Sequence, residues 1–224
     1  MSLASSSPPR RLADAERRER IVEAAERAFV RHGFHAATMQ HVADEAGMSP
    51  GNLYRYFPSK EAIVEGLCEV DKARRAGSFD AFADFMAGNG DLTEAIRWGM
   101  REHVLSKPPE KARMIVEIWA EAGRNPRVAE ITRTLDADVL NGLERLINVA
   151  KAAGAASPEL DARFGARFFV TFVAGLFKRI AVEPDFDPDA ETDMAVGVLK
   201  ALFAGKFSLE AATPDEEVKS CVAR

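Results

Sequence analysis

Helix starts are marked in this sequence by capping residues that directly precede proline, at positions 49–50, 125–126, 157–158 and 187–188. A Ser, Asn or Asp side chain at the N-cap accepts a hydrogen bond from a free backbone N–H group of the first turn. Proline suits the first helical position because its φ is already helical and its missing N–H has no partner there. The four pairs therefore predict four helix starts and favour a fold built from helices.

Apolar residues repeat with the spacing of a helix along most of the chain. Ile21, Ala25 and Phe29 are four residues apart and share one helix face, and Gly33 follows where a left-handed C-cap would end that helix. The sequence contains no sustained alternation of apolar and polar residues, which is the pattern that would indicate a strand. We predict an all-α fold of nine helices, at residues 13–32, 38–46, 50–57, 59–87, 91–106, 109–123, 126–153, 158–182 and 188–204.

Composition narrows the class of protein. The 224 residues are 47% hydrophobic and 29% charged, as in an ordinary globular protein. No apolar run approaches the length of about 20 residues that a membrane helix needs. The two cysteines, Cys68 and Cys221, are too few for a disulfide framework and too isolated for a metal site. We therefore expect a cytoplasmic protein with no metal, no cofactor and no membrane partner.

Charge is unevenly distributed along the chain. The first 60 residues contain nine Lys/Arg and seven Asp/Glu, although the whole chain has a net charge of −5. The N-terminal segment is thus slightly basic and the remainder is acidic, which suits an N-terminal part that faces an anion. A chance distribution of solvated charges would explain the same imbalance.

Two very short helices, 38–46 and 50–57, follow each other closely, joined around Gly47. Helices of this length are not stable alone in water, so their apolar residues must pack on neighbouring helices. Val42, Leu53 and Phe57 supply the inner face, and Gly47 permits a sharp turn between the two helices. This pattern is typical of a helix-turn-helix whose second helix enters the major groove of DNA.

The residues of 50–57 that remain outside the core form the predicted reading surface: Pro50, Gly51, Asn52, Tyr54, Arg55 and Tyr56. Asparagine reads base edges, and tyrosine donates a hydrogen bond to phosphate or packs its ring on sugar and thymine methyl groups. Thr38 would cap the preceding helix close to a phosphate, and Gln40 lies one turn further in, within reach of a base. Lys60 would add a positive charge for the same DNA backbone.

Several of these residues also fit other roles. Tyr54 or Tyr56 could be a half-buried core residue, Arg55 could be only solvated, and Lys60 could pair with Glu61 or Glu65. Four arginines could form a basic arm that follows phosphates or belong to a disordered tail: Arg10, Arg11, Arg17 and Arg18.

The segment TMQHVADEAGMSPGNLYRYFPSKEAI, residues 38–63, resembles the DNA-binding signature of the tetracycline-repressor (TetR/AcrR) family. The matching positions are Thr38, Val42-Ala43, Ala46-Gly47-Met48-Ser49, Gly51, Leu53-Tyr54, Phe57 and Lys60. Two positions depart mildly from the family pattern: Val42, where Ile is commoner, and Tyr56, where His is commoner. The resemblance covers about 50 residues and is highly specific.

The resemblance implies a two-domain, nine-helix homodimer that represses transcription from a palindromic double-stranded operator and is released by a small-molecule inducer. It implies phosphate contacts by Thr38, Tyr54 and Lys60. It implies base contacts by Gln40, Pro50, Gly51, Asn52 and Tyr56. The expected domains are a disordered tail at 1–12, a helix-turn-helix domain at 13–60, a ligand-binding and dimerisation domain at 61–207 and a C-terminal tail at 208–224.

The eighth predicted helix, 158–182, is apolar on more than one face, so it should be buried on two sides. One side would pack on its own domain and the other, with helix 188–204, on a second copy of the chain. The expected interface residues are Phe164, Phe168, Phe172, Gly175, Met194, Val198 and Leu202. A central helix in a monomer is the alternative.

A ligand cavity would lie among the fourth to eighth helices. Its candidate lining residues are apolar or soft side chains: Phe82, Met86, Met100, His103, Met114, Ile118, Trp119 and Phe169. The same residues could be plain core, and His103 could be a hydrogen-bonded core histidine. Four residues could add a polar contact, with nothing to choose among them: Arg113, Glu117, Glu121 and Asn141.

Two other functions are weighed against DNA binding. His41 and Glu45 stand four residues apart on one helix, as a metal-binding pair would, yet no further ligand follows at a suitable spacing and no nucleophile or phosphate-binding motif is present. We therefore predict that the protein is not an enzyme. A helical adaptor could instead use Tyr54, Tyr56 and Phe57 to bind a protein, and it would lack salt-dependent DNA binding.

Overall fold

The computed structural model describes residues 8–88 and 90–207, and throughout this part of the chain the regular structure is helical. The helices are α1 Pro8–His32, α2 Met39–Glu45, α3 Pro50–Tyr56, α4 Lys60–Ala87, α5 Leu92–Met100, α6 Pro109–Ala122, α7 Pro126–Ala152, α8 Ala162–Val182 and α9 Pro188–Phe203. A π-helical turn, Arg101–Leu105, continues α5 directly. The predicted all-α class is confirmed.

Three of the four proline-marked helix starts are confirmed. Ser49, Asn125 and Asp187 are the N-caps of α3, α7 and α9, and each side chain accepts a hydrogen bond from a backbone N–H of the first turn. Gly33 and Gly47 adopt the positive φ values of 75° and 63° that allow the chain to leave α1 and α2 sharply. These local signals act within a few residues, which is why the sequence shows them.

The start predicted at 157–158 is wrong, because α8 begins at Ala162 with Asp161 as its N-cap. The Asp161 carboxylate accepts hydrogen bonds from the N–H groups of Arg163 and Phe164, at 2.8 and 3.0 Å. Lys151 of α7 donates to the carbonyl of Leu160 at 2.7 Å, which holds the preceding turn outside the helix.

The N-terminal tail predicted at 1–12 is also corrected in part, because α1 is already helical from Pro8. Proline suits a first helical position, and the Arg, Leu and Ala residues that follow favour helix. The predicted tail at 208–224 and the side chains of Arg10 and Arg11 lie outside the described residues.

Two apolar cores hold the helices together. The N-terminal core joins α1, α2, α3 and the start of α4, and its most buried side chains include Phe29, Leu53 and Phe57. Met114 and Ile118 of α6 belong to this core rather than to a cavity in the second half of the chain. Helix α6 is therefore part of the support beneath the two short helices.

The second core is built from α5 to α9. On α8, Phe164, Phe168 and Phe172 are half-buried, and the last two rings stack with centroids 6.3 Å apart. Met194 of α9 is 41% exposed, whereas Leu202 is fully buried in this core. The prediction that Leu202 lies in the dimer interface is therefore wrong, because its side chain packs in the core of its own chain. Within the described ranges, no helix has both the length and the apolar character needed to cross a membrane.

Candidate nucleic-acid interface

The start of α2 is closed by a reciprocal cap between Thr38 and His41. The Thr38 Oγ1 accepts a hydrogen bond from the His41 N–H at 3.2 Å, and the His41 Nδ1 accepts one from the Thr38 N–H at 3.3 Å. Thr38 is exposed, and its hydroxyl proton stays available for an acceptor such as phosphate. Gln40, also exposed, donates to the Asp44 carboxylate at 2.7 Å and keeps its amide oxygen for other partners.

Glu45 is not placed to share a metal ion with His41. Its two carboxylate oxygens accept hydrogen bonds from Arg27 at 2.9 Å and Arg31 at 2.8 Å, both on α1. The hydrogen bond from Arg27, followed by the charge of Arg31, lowers the pKa of Glu45. The His41 ring instead stacks on His32, with centroids 4.1 Å apart. This part of α2 is thus tied to α1.

Helix α3 presents one face to the core and the opposite face to solvent. Leu53 and Phe57 are 0% and 1% exposed, whereas Tyr54 is 50% exposed and Gly51 and Arg55 are exposed beside it. The alternative that Tyr54 is a core residue is therefore wrong. Helix α3 is thus held on the core by Leu53 and Phe57 and exposes its opposite face to solvent.

The flanks of α3 are half-buried, at Pro50, Asn52 and Tyr56. Tyr56 packs against the N-terminal core, and its carbonyl accepts a hydrogen bond from Arg18 of α1 at 2.9 Å. The Arg18 guanidinium also lies 4.5 Å from the centroid of the Phe57 ring. Arg18, which was a candidate for a phosphate-binding arm, thus braces the end of α3 from α1.

The Lys60 ammonium binds the protein's own backbone, whereas the resemblance implies that it contacts a DNA phosphate. Its Nζ donates to the carbonyls of Phe34, His35 and Ala37, at 2.8, 3.2 and 3.2 Å, and lies 4.6 Å from the centroid of the Phe34 ring. Because an ammonium group has three donors, all of them have a partner within the protein. Burial lowers the pKa of Lys60. The side chain joins the first turn of α4 to the loop between α1 and α2.

Glu117 of α6 holds the same loop from the other side. Its Oε2 accepts a hydrogen bond from the Phe34 N–H at 2.5 Å. Phe34 thus has its N–H bound by a carboxylate of α6 and its carbonyl bound by the ammonium of Lys60. The sequence showed Glu117 only as one of four unassigned polar residues, because its partner lies 83 positions away.

Family models match both halves of the chain. Residues 21–67 match the model described as "Bacterial regulatory proteins, tetR family". Residues 103–204 match the model described as "BetI-type transcriptional repressor, C-terminal". The chain belongs to the TetR family. It is therefore a DNA-binding transcriptional regulator and not an enzyme, as the sequence predicted.

TetR-family relatives match over nearly the whole chain. The transcriptional regulator UidR of Escherichia coli K12 is 28% identical over 194 residues, covering 84% of this chain and 91% of UidR. The structure of GusR from Salmonella enterica is 26% identical, covers 84% of this chain and 95% of GusR, and gives a TM-score of 0.67. A regulator from Rhodococcus sp. shares the fold at 21% identity, with 84% and 99% of the chains covered and a TM-score of 0.70.

The described part of this TetR-family chain contains cavities outside the helix-turn-helix. Two cavities, of about 270 and 200 Å³, lie beside the π-helical turn and between α1 and α6. None of the eight residues predicted to line a ligand cavity lines either one. Met86 and Met100 are buried, Phe82 and Phe169 are half-buried, and Trp119 is 36% exposed with its edge toward Phe177. Their contact with a ligand remains a prediction.

Proposed function

We propose that the protein is a homodimeric repressor that binds a palindromic operator and leaves it when a small-molecule inducer binds. The observation that carries the proposal is the outward face of α3, where Gly51, Tyr54 and Arg55 are exposed while Leu53 and Phe57 hold the helix on the core. The match of the second half to a repressor-type model supports repression rather than activation.

The reading residues divide into two groups by chemistry. Thr38 and Tyr54 carry exposed hydroxyl groups that suit phosphate oxygens. Gln40 and Asn52 carry amides that suit base edges, and Pro50, Gly51 and Tyr56 complete the surface that would face the groove. Lys60 supports this surface from inside the protein, because its three donors already bind the loop before α2.

The half-buried faces of α8 and α9 provide a surface for a second copy. Half-buried aromatic side chains of α8, together with Gly175, and two residues of α9 would form it: Phe164, Phe168, Phe172, Gly175, Met194 and Val198. A two-fold pair built in this way would place its two α3 helices on one side of the dimer. Their separation should match about 34–36 Å, the distance between half-sites one DNA turn apart.

Inducer binding would act through helices shared by both cores. Helix α4 begins at Lys60 beneath the DNA side and runs into the second core, and α6 contributes Met114 and Glu117 to the support of α2 and α3. A ligand that favours another placement of α4 or α6 would change the spacing of the two reading helices. It shifts DNA affinity only by its difference in affinity for the two arrangements.

Selection of bound sequences from a random DNA library, followed by footprinting of the purified protein on the selected site, tests the proposal. We expect one protected site with two inverted half-sites. Tyr54→Phe should weaken binding to every site sequence by about tenfold, because one hydrogen bond to a charged oxygen is lost. Asn52→Ala should alter the preferred base at one position of each half-site, by about 1–3 kcal/mol of discrimination. Protection of sites without two-fold symmetry would contradict the paired reading heads.

Gly51→Ala should move stability and DNA binding in opposite directions. A methyl group at Gly51 meets no atom within 4 Å outside its chain neighbours and the backbone of its own helix, and alanine favours helix over glycine, so the free protein should gain about 1 kcal/mol of stability. The same methyl group would push the helix away from DNA if the backbone approaches a base there. Calorimetry and fluorescence anisotropy check the two effects, and unchanged DNA affinity would exclude Gly51 from the interface.

A further inference from the structure

Three buried side-chain polar atoms have no hydrogen-bond partner among the described residues: Nη2 of Arg75, Nε2 of His103 and Oε2 of Glu191. The Glu191 Oε2 lies 2.6 Å from the Arg179 guanidinium in an ion pair, which leaves the nitrogens of Arg75 and His103. A buried donor without a partner costs free energy, so such atoms are uncommon in folded proteins and call for a physical explanation. The alternative that His103 is a hydrogen-bonded core histidine is therefore not supported, because its Nε2 has no partner.

The two residues stand in one electrostatic environment. Burial is the main cause of a lowered pKa at His103, and the positive charges of Lys107, Arg75 and Arg74 lower it further against the opposing charge of Glu102. His103 is thus a neutral imidazole surrounded mainly by cations at neutral pH. A negatively charged group brought to this position would be attracted by these cations, and least by Arg74, whose charge is exposed to solvent.

One terminal nitrogen of the Arg75 guanidinium is paired and the other has no partner. Its Nη1 is paired with Asp71 of α4, while its side chain is only 18% exposed. Asp136 and Asp138 of α7 are the other acidic groups near it, and Asp138 is already paired with Lys72 at 2.6 Å. A guanidinium has only hydrogen-bond donors, so the partner of Nη2 must be an acceptor group.

The local structure around His103 suits a ligand site. His103 lies in the π-helical turn that follows α5, and π-helical turns inside helices are frequent at functional sites. The indole of Trp98 meets the imidazole edge-to-face, with centroids 6.0 Å apart, and Trp98 is 46% exposed. A half-exposed indole therefore contacts the residue whose Nε2 is buried.

We propose that Arg75 and His103 form the polar end of the effector site and bind the carboxylate of an organic anion, whose apolar body packs along Trp98 between α4 and α5. This inference rests on the proposed function, because it gives the chemical class of the inducer. A carboxylate has two oxygens, one for the Arg75 Nη2 and one for the His103 Nε2 in its protonated tautomer. Binding would satisfy both buried donors at once.

The experiment compares acids with neutral molecules of the same shape. The probes are decanoate and 4-phenylbutyrate, with decanol, 4-phenylbutanol and decyltrimethylammonium as counterparts. Trp98 and Trp119 are the two tryptophans of the chain, so Trp119→Phe leaves the fluorescence of Trp98 as the reporter. We expect at least one acid to change this fluorescence and raise the melting temperature, with its alcohol binding about tenfold or more weakly.

Matched variants identify the residues responsible. Arg75→Met and His103→Leu should each weaken the acid by about tenfold and leave the alcohol unchanged. His103→Gln should recover part of the affinity, because its amide N–H can replace the ring donor. Arg74→Met removes an exposed cation from the same helix and should leave acid affinity within about twofold. Circular dichroism melting of the ligand-free variants verifies that each is folded.

Three results would overturn the inference: neither acid binds, acid and alcohol bind equally, or the ammonium compound binds best. A DNA-binding assay separates this failure from that of the proposed function. If the acids do not bind but the protein still protects its operator, only the carboxylate site is wrong. If an acid binds through Arg75 and His103 without lowering DNA affinity, the site stands and release by this inducer class is wrong.

Discussion

Leu53→Ala should strongly weaken operator binding while leaving most of the molecule folded. Leu53 is the one residue within α3 itself that is fully buried, and only Phe57, at its C-cap, gives it comparable support. Replacing a buried leucine by alanine costs about 2–5 kcal/mol. Helix α3 has seven residues and cannot persist without its packing, so it should open locally before the larger core does.

Hydrogen exchange and DNA titration measure this effect together. We expect fast exchange of the α3 amides, slow exchange in α7 and α8, and a loss of operator affinity on the order of 30-fold, from the lower end of the cavity cost. Arg55→Ala is the control for stability, because the side chain is exposed on the same helix and should change the unfolding free energy by less than about 0.5 kcal/mol. Native exchange of α3 in the Leu53 variant would contradict its role as the support of the reading helix.

Lys60→Met should lower the melting temperature without removing a phosphate contact. The substitution keeps the aliphatic chain but takes the donor away from the carbonyls of Phe34, His35 and Ala37. Loss of hydrogen bonds from a charged group costs about 2 kcal/mol. The loop that positions Thr38 at the start of α2 should loosen, so operator affinity should fall through the protein's own stability.

The salt dependence of DNA binding separates this role from the one implied by family resemblance. Each lysine-phosphate contact contributes about 0.9 to the slope of log affinity against log salt. For Lys60→Met, at a temperature where the variant is folded, we expect the native slope. Arg55→Met is the matched comparison: its exposed charge faces outward, so its loss should leave the melting temperature unchanged and reduce the slope. If Lys60→Met left the melting temperature unchanged and reduced the salt slope, Lys60 would instead be a direct phosphate contact.

The sequence separation of two contacting residues explains why the exposed face of α3 was predicted and the contacts of Lys60 and Glu117 were not. Capping side chains, positive-φ glycines and the inward positions Leu53 and Phe57 depend on residues within one or two turns of each other. Such short-range relations are visible in a single sequence. They predicted correctly which face of α3 is exposed, including the exposure of Tyr54.

Long-range contacts had no comparable signal. The three carbonyls that bind Lys60 lie 23 to 26 positions away, and the N–H bound by Glu117 lies 83 positions away. Leu202 and Phe168 both read as apolar helix residues, yet only the packing of α9 decides that Leu202 is internal. A helical period defines an apolar face but not the element that covers it.

The helical class, most helix ends and the exposed face of α3 follow from the amino-acid sequence alone, because each depends on short-range backbone geometry and side-chain periodicity. Only the tertiary structure decided that Lys60 and Glu117 hold the loop before α2, that α6 supports the DNA side, and that Arg75 and His103 keep buried donors without partners. Those features arise where distant segments meet, and burial there sets which charges are satisfied and which remain available to a ligand.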